Sequence, residues 1–305
     1  MTADNDQRSS SPYASAAAKD DAAPPGDLRA KLRRGEVTLG AWCGIPSSFS
    51  VELFSAMDFD WICVDTQHGL VSYSDMVSML QAAFAHRMPA LVRVAANRPE
   101  LIMGALDAGA TGVVVPLVNS AEEAARAAEA CRYPPVGNRS WGPARAALQR
   151  SSYTPEEVNG TTICVVMIEN PPAVKVASEI LAVPGVDAVY IGPWDLSLST
   201  HGKAPQPGGS EEDSRAIESV RKAAVSNGVA PGIACGGFSH VKRWVEAGFK
   251  LIAVNSDVGI VNEAAARLLR ESRELVRSLP ANDVVRGDGS DKTPSSRATK
   301  GEPSR

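Results

Sequence analysis

A regular alternation of two patterns along the chain is the feature that most limits its fold. Short runs rich in β-branched residues alternate with stretches whose apolar residues recur at helical spacing. The runs predict eight strands, Leu39–Ile45, Trp61–Thr66, Ala90–Ala95, Gly112–Val118, Ile163–Glu169, Ala188–Gly192, Pro231–Cys235 and Leu251–Asn255. The stretches that follow them predict eight helices, Phe49–Met57, Asp75–Ala85, Glu100–Ala108, Ala121–Cys131, Ala173–Leu181, Glu212–Ser226, Ser239–Ala247 and Val261–Leu279. Eight βα units predict an α/β fold, a single-domain (β/α)8 TIM barrel, with a six-stranded doubly wound sheet as the alternative.

The two ends of the chain differ in composition from the middle. Residues 1–26 are rich in Ser, Ala, Asp and Pro, and residues 281–305 are polar and of low complexity. Segments of this kind bury too little apolar surface to offset the entropy of ordering them. The sequence therefore predicts a barrel domain over residues 27–280 between two disordered tails.

Composition and charge exclude several classes of function. The formal net charge is −4, with 31 Lys and Arg against 35 Asp and Glu spread along the chain, so no dense basic field is present to hold nucleic acid. No apolar run approaches the roughly 20 residues of a membrane helix, and the N-terminus lacks the apolar core of a signal peptide. The five cysteines lie without metal-ligand spacing, which predicts buried free thiols. We expect a cytoplasmic protein whose partners are small molecules rather than nucleic acid or a membrane.

In barrel enzymes the functional side chains lie where strands end and βα loops begin. On position alone, His68 is as compatible with a structural imidazole as with a catalytic one. Asp65 is at least as compatible with hydrogen bonds to loop amides as with catalysis. Arg93 lies between apolar neighbours, where a guanidinium needs an anion, either a protein carboxylate or a ligand. The polar or aromatic residues at such positions are Trp42, Asp65, His68, Arg93, Glu169 and Asp195.

Two of these residues are acids on neighbouring predicted strands. Glu169 ends the fifth strand, and Asp195 follows the sixth in the segment VYIGPWDLS. Each acid alone is compatible with a structural role. Together they would repel each other unless a proton or a hard cation lies between them, which predicts a divalent metal site.

Five segments together carry a specific resemblance, namely FDWICVDTQHG, LVRV, ALDAGATGVVVPLVNSAEEA, RYPPVGNRS and IGPWDLS. In this order they resemble the HpcH/HpaI aldolase and citrate lyase family of metal-dependent pyruvate aldolases, over roughly Leu39 to Leu279. The resemblance implies a class II aldolase that reversibly cleaves a 4-hydroxy-2-oxo acid to pyruvate and an aldehyde. It also implies a homo-oligomer, commonly a hexamer, in which the last helix is exchanged between subunits.

The resemblance also implies roles for individual residues. Glu169 and Asp195 become the ligands of a divalent ion, magnesium or manganese first, with cobalt or zinc also accepted in the family. Arg93 faces the keto oxygen, and His68 becomes the general base. In the family pattern Asp107 orients the histidine, and Asp65 holds a water bound to the ion. Trp42 forms the side of the site at the pyruvate end. The main chain of Gly192, Pro193 and Trp194 contacts the pyruvate carboxylate.

Two positions depart from the family pattern, which often has Glu before the histidine and Gln two residues before the metal glutamate. This chain has Gln67 and Met167 there, so we expect its acceptor aldehyde to differ. Two alternative functions remain at this point. One is an acyl-CoA lyase or thioesterase of the citrate lyase type, and the other is an inactive barrel that binds a keto acid.

Overall fold

The barrel closes by parallel pairing of each strand with the next, and of the last strand with the first. The computed structural model describes residues 27–203 and 210–279. Within those ranges the eight strands are β1 (Thr38–Cys43), β2 (Trp61–Asp65), β3 (Ala90–Arg93), β4 (Gly112–Val115), β5 (Ile163–Ile168), β6 (Ala188–Ile191), β7 (Ala230–Ala234) and β8 (Leu251–Ser256). The predicted (β/α)8 barrel is confirmed, and the predicted tails, residues 1–26 and 281–305, lie outside the described residues.

The helices of the described residues are more numerous than the predicted ones. They are α1 (Leu28–Arg33), α2 (Ser48–Ser55), α3 (Tyr73–Ala85), α4 (Pro99–Asp107), α5 (Ala121–Ala130), α6 (Pro155–Thr161), α7 (Pro171–Lys175), α8 (Ala177–Leu181), α9 (Pro193–His201), α10 (Glu211–Ser226), α11 (Phe238–Glu246) and α12 (Asp257–Ser278), with a 3-10 turn at Ala146–Gln149. The single helix predicted over Ala173–Leu181 is wrong, because Val176 leaves the helical conformation and separates α7 from α8.

Two apolar clusters form the core of the fold. The larger lies between the strands and the surrounding helices, and the smaller fills the barrel interior. Leu28 and Leu32 of α1 belong to the interior cluster and are almost fully buried, so this short helix closes the N-terminal end of the barrel. Arg29 fastens α1 there by an ion pair with Asp187, which also binds Arg132.

The described chain forms two compact units, the first ending at Val261 and the second starting at Asn262. The first contains the whole barrel. Within the second, the remainder of α12 carries exposed Leu268, Leu269, Leu275 and Val276. Among the described residues no helix is both long enough and apolar enough to cross a membrane. The five cysteines are free and buried, as predicted.

Candidate active site

A cavity of about 290 Å3 lies among residues from the C-terminal ends of the strands. This is the end where (β/α)8 enzymes place their reacting groups. The structure therefore brings together residues that are separated by more than half of the sequence. Of the residues predicted for the site, those that line this cavity are Trp42, His68, Arg93, Met167, Gly192, Trp194 and Asp195.

Arg93 and Asp65 form a buried ion pair beside the cavity. The register of β2 and β3 places the two residues side by side. Arg93 Nε donates to Asp65 Oδ1 at 2.9 Å, and Arg93 Nη2 donates to Asp65 Oδ2. The remaining guanidinium nitrogen, Nη1, has no partner among the described residues. Because Arg93 lines the cavity, this nitrogen is available to a bound anion.

Asp65 receives further donors that fix it in place. Its carboxylate accepts the indole N–H of Trp42 at 3.2 Å and the amides of Gln67 and His68 at 3.0 and 3.2 Å. Burial alone would raise the pKa of Asp65, but the hydrogen bonds and charge of Arg93, together with the two amides, lower it below its ordinary value. With these donors and Arg93 on its oxygens, Asp65 orients the guanidinium and the β2 loop.

Aromatic rings build one wall of the cavity. The indole of Trp42 stacks on the ring of Tyr190 with 5.1 Å between the centroids, and the guanidinium of Arg93 lies 5.1 Å from the Trp42 ring. Tyr190 comes from the barrel interior and is almost fully buried. The cation–π contact and the ion pair together hold the Arg93 side chain in one orientation.

Glu169 lies directly after β5 and is 3% exposed. Its Oε1 accepts the backbone N–H of Leu117 at 2.8 Å. Leu117 has a φ of 54°, which is uncommon for a bulky residue and places its amide toward the carboxylate. A Cβ at Gly192 would lie 2.7 Å from Glu169 Oε2, so any other residue at the end of β6 would displace this carboxylate.

The charge of Glu169 is costly in this position. Desolvation first, and the nearby negative charge of Asp195 in addition, raise its pKa to about 7 against the opposing effects of the Leu117 amide and Arg93. A divalent cation near both acids would remove these penalties, and carboxylate oxygens are the ligands that hard cations prefer. The residues present therefore fit a divalent metal. Among the described residues no cluster of three or more His, Cys, Asp or Glu surrounds such a position.

The start of α9 provides backbone donors at the same place. Gly192 is the N-cap, makes no side-chain cap, and is followed by Pro193 at the first helical position. The amides of Trp194 and Asp195 precede the first amide that has an intrahelical partner, that of Leu196. Unpaired amides at a helix N-terminus favour an anion, so this turn suits the carboxylate of a small acid.

His68 and Gln67 lie on the loop after β2. The imidazole of His68 is exposed to the cavity and has no hydrogen-bond partner among the described residues. Gln67 does not line the cavity, and its Oε1 is buried without a donor in the described part of the chain. Met167 does line the cavity, beside Gly192.

The structure does not bring Asp107 to His68 within one chain. Asp107 ends α4, whose direction opposite to the strands places this residue at the N-terminal end of the barrel. It pairs there with Arg139 at 2.7 Å, and Arg139 in turn lies 4.6 Å over the ring of Tyr133. Burial raises the pKa of Asp107, partly offset by Arg139. Exposed Trp141 packs against this cluster.

Sequence reasoning missed several residues that line the cavity. Tyr190 carries no signal, because an inward tyrosine on a buried strand is an ordinary core residue. Asn255 and Ser256 end β8 and line the cavity. Polar residues at the C-terminal ends of barrel strands are candidates for the active site, and this rule applied to the last strand predicts both of them.

Comparison with known proteins gives a consistent family assignment. The model of the HpcH/HpaI aldolase/citrate lyase family matches residues 39–264. A hydroxypyruvate/pyruvate aldolase of Rhizorhabdus wittichii is 35% identical over 251 residues, which cover 81% of this chain and 99% of that protein. A 4-hydroxy-2-oxo-heptane-1,7-dioate aldolase of Klebsiella pneumoniae is 37% identical over 242 residues, covering 78% and 90%.

The structural comparison agrees with the sequence comparison. The crystal structure of an HpcH/HpaI aldolase/citrate lyase family protein from Burkholderia cenocepacia superposes with a TM-score of 0.75 at 31% identity, covering 81% of this chain and 98% of that one. The family match extends over most of the barrel that carries the cavity. The chain therefore belongs to the HpcH/HpaI aldolase/citrate lyase family.

Proposed function

We propose that this protein is a metal-dependent aldolase, a carbon–carbon lyase that reversibly cleaves a 4-hydroxy-2-oxo acid to pyruvate and an aldehyde. The observation that carries the proposal is the convergence of three groups on one cavity. The first is Asp195, which lines the cavity, with Glu169 directly behind the cavity-lining Gly192. The others are the free Nη1 of Arg93 and the unpaired amides at the start of α9. Each suits a different part of a 2-oxo acid.

Glu169 and Asp195 would hold the cation, with magnesium or manganese the best match to their oxygen ligands. When bound, the cation would supply a positive charge that favours the enolate over the keto form. No lysine lines the cavity among the described residues, so a covalent route through a lysine imine has no candidate there.

Arg93 would stabilise the oxyanion that develops at C2. Its Nε and Nη2 are already occupied by Asp65, which leaves Nη1 as a fixed donor with little freedom to lose. The substrate carboxylate would accept hydrogen bonds from the amides of Trp194 and Asp195. Trp42 and Tyr190 would keep water away from the reacting carbons.

His68 would act as the general base. In cleavage it would take the proton of the C4 hydroxyl, after which the C3–C4 bond breaks and its electron pair enters the C2–C3 bond of the enolate. The aldehyde carries away C4 and its oxygen, and C3 would then take up the proton held by His68, which gives pyruvate and restores the neutral imidazole. A free imidazole exposed to the cavity suits this role.

Asp107 would orient a histidine of a neighbouring copy of the chain. The support for this is topological, because Asp107 and His68 lie at opposite ends of one barrel. The exposed leucines of α12 are compatible with exchange of this helix between subunits, as in a homo-oligomer such as a hexamer. Both features favour a site shared between copies.

Proton exchange tests the proposal without knowledge of the aldehyde. The protein with Mg2+ should exchange the methyl protons of pyruvate with deuterated water, and a chelator should stop the exchange. Binding of pyruvate without exchange, under Mg2+, Mn2+, Co2+ or Zn2+ in turn, would favour the inactive barrel instead. An acyl-CoA substrate is less compatible, since Arg93 is the only Lys or Arg among the described residues that line the cavity.

A further inference from the structure

Two polar side chains at the end of β8 face the cavity and have no role in the chemistry described above. Asn255 and Ser256 both line it and are partly buried. The register of β8 with β1 places them beside Ala41 and Trp42. They therefore form the part of the cavity wall that lies between the aromatic wall and the end of β7.

The orientation of the Asn255 amide is fixed by its neighbours. Its Oδ1 accepts the backbone N–H of Ser256 at 2.8 Å. A Cβ at Gly259 would lie 2.3 Å from this oxygen, so the glycine makes room for it. Since the oxygen is identified by the donor it meets, the Nδ2 group is identified as well. This nitrogen donates to no atom of the described residues.

Ser256 also retains a free donor. Its Oγ accepts the N–H of Gly259 at 3.0 Å, an N-terminal cap of α12. Capping uses a lone pair of the hydroxyl oxygen and leaves its hydrogen without an acceptor among the described residues. The helix cap therefore accounts for the acceptor of the Ser256 hydroxyl. It accounts neither for the hydroxyl hydrogen of Ser256 nor for the Nδ2 group of Asn255.

Small residues leave space in front of these donors. Ala234, Cys235 and Ala253 line the neighbouring wall. Gly236 lies against the indole of Trp194, where an added Cβ would come within 3.3 Å of Trp194 Cζ2. The indole of Trp194 thus occupies the space that a side chain at position 236 would need, and the space beside β8 stays open.

The donors are neutral, and this decides what they would bind. A carboxylate in this cavity has better partners in Arg93 and the start of α9, which carry positive charge or a helix dipole. A neutral amide and a neutral hydroxyl match a neutral acceptor such as an alcohol oxygen. In the proposed mechanism the C3–C4 bond of the acid lies toward His68, so the other substituents of C3 would be directed to the rest of the cavity wall, of which the end of β8 is a part.

Resting on the proposed function, we propose that Asn255 and Ser256 determine donor specificity by binding a hydroxyl on C3. The preferred donor is then a 3-hydroxy-2-oxo acid, with 3-hydroxypyruvate as the simplest member, rather than pyruvate. A site built to bond a hydroxyl discriminates against the analogue that lacks it, because its own donors are left unpaired.

The test compares two donors on the same protein. In deuterated water with Mg2+, the C3–H bond breaks, its electron pair enters the enolate, and a C–D bond forms with solvent. Proton NMR gives this rate for 3-hydroxypyruvate and for pyruvate, each corrected for exchange without enzyme. The ratio of the two rates is independent of how much protein is folded. We expect it to favour 3-hydroxypyruvate and to fall about tenfold or more in Asn255→Leu.

Ser256→Ala should lower the ratio in the same direction, and Asn255→Ser, which keeps a donor, should restore part of it. Asn227→Leu is the matched control, since Asn227 caps the C-terminus of α10 away from the cavity, and its ratio should equal that of the parent. A parent ratio that favours pyruvate, or a ratio that neither variant changes, would overturn the assignment while exchange itself still supports the aldolase. Absence of exchange with both donors would overturn the aldolase proposal and this one together.

Discussion

Arg93 holds Asp65 through two nitrogens and keeps the third for the cavity. Removing one partner of a buried pair leaves the other charge without compensation. Asp65→Asn should therefore lower the free energy of unfolding by about 3–5 kcal/mol, measured by urea unfolding at pH 7. The exposed pair Arg34 and Glu36 offers a control, and Glu36→Gln should leave the urea midpoint unchanged.

The same pair predicts a dependence on pH. The pKa of Asp65 is lower in the folded protein than its ordinary value, so the stability it contributes is present above the unfolded pKa and is lost as the pH falls through the folded value. The difference in stability between the parent and Asp65→Asn should shrink as the pH falls below about 4. A constant difference down to pH 2.5 would mean that the carboxylate charge is not its source.

Replacing Arg93 by lysine tests whether the planar guanidinium, and not only its positive charge, is required. Lysine keeps the positive charge but cannot bind Asp65 with two nitrogens and present a third. We expect the metal-dependent exchange of pyruvate protons to fall about 10²-fold or more, as for loss of an oxyanion donor. Near-parental exchange in a folded Arg93→Lys protein would show that the charge alone is sufficient.

The acid pair predicts a response of stability to metal. In the parent, Mn2+ should raise the melting temperature, because a ligand that binds only the folded state stabilises it. Glu169→Gln and Asp195→Asn should fold but show a much smaller rise at the same Mn2+ concentration. Glu156→Gln, a change on the exposed start of α6, should respond as the parent does. Equal rises in all four proteins would place the metal elsewhere.

The separation of Asp107 from His68 predicts complementation between subunits. His68→Ala and Asp107→Ala should each impair aldol cleavage when expressed alone. Co-expressed, they should recover part of the activity, because some sites would combine an intact His68 with an intact Asp107 from another copy. Activity of the co-expressed protein no higher than that of the separate variants would exclude a shared site.

The strands could be predicted from sequence because each is a short run of mostly small or apolar residues, rich in β-branched residues in β4 and β5 and poorer in them in β1 and β7. Helix α9 could not, since GPWDLSLSTH has little amphipathic pattern and its helical start depends on Gly192 and Pro193. Helix α1 was missed for a related reason. Its apolar residues are few, and they matter only because the closed barrel offers them an interior.

The candidate site was predicted unevenly for physical reasons. The positions of Arg93, Glu169 and Asp195 follow from the rule that strand ends carry the chemistry, which needs no side-chain coordinates. The partner of Arg93 does not follow from that rule, because two anions were available to it. The register of β2 with β3 decides in favour of Asp65.

The closure of the barrel by Leu28 and Leu32 has a kinetic consequence. Because the barrel interior is filled with apolar side chains and α1 closes its N-terminal end, both substrates would enter and leave the site from the C-terminal end. In the proposed mechanism the 2-oxo acid would occupy the position beside Gly192, and the aldehyde would lie nearer the solvent. Addition would then follow a compulsory order in which the acid enters first, and cleavage would release the aldehyde before the acid. Initial-rate patterns of product inhibition would display that order directly.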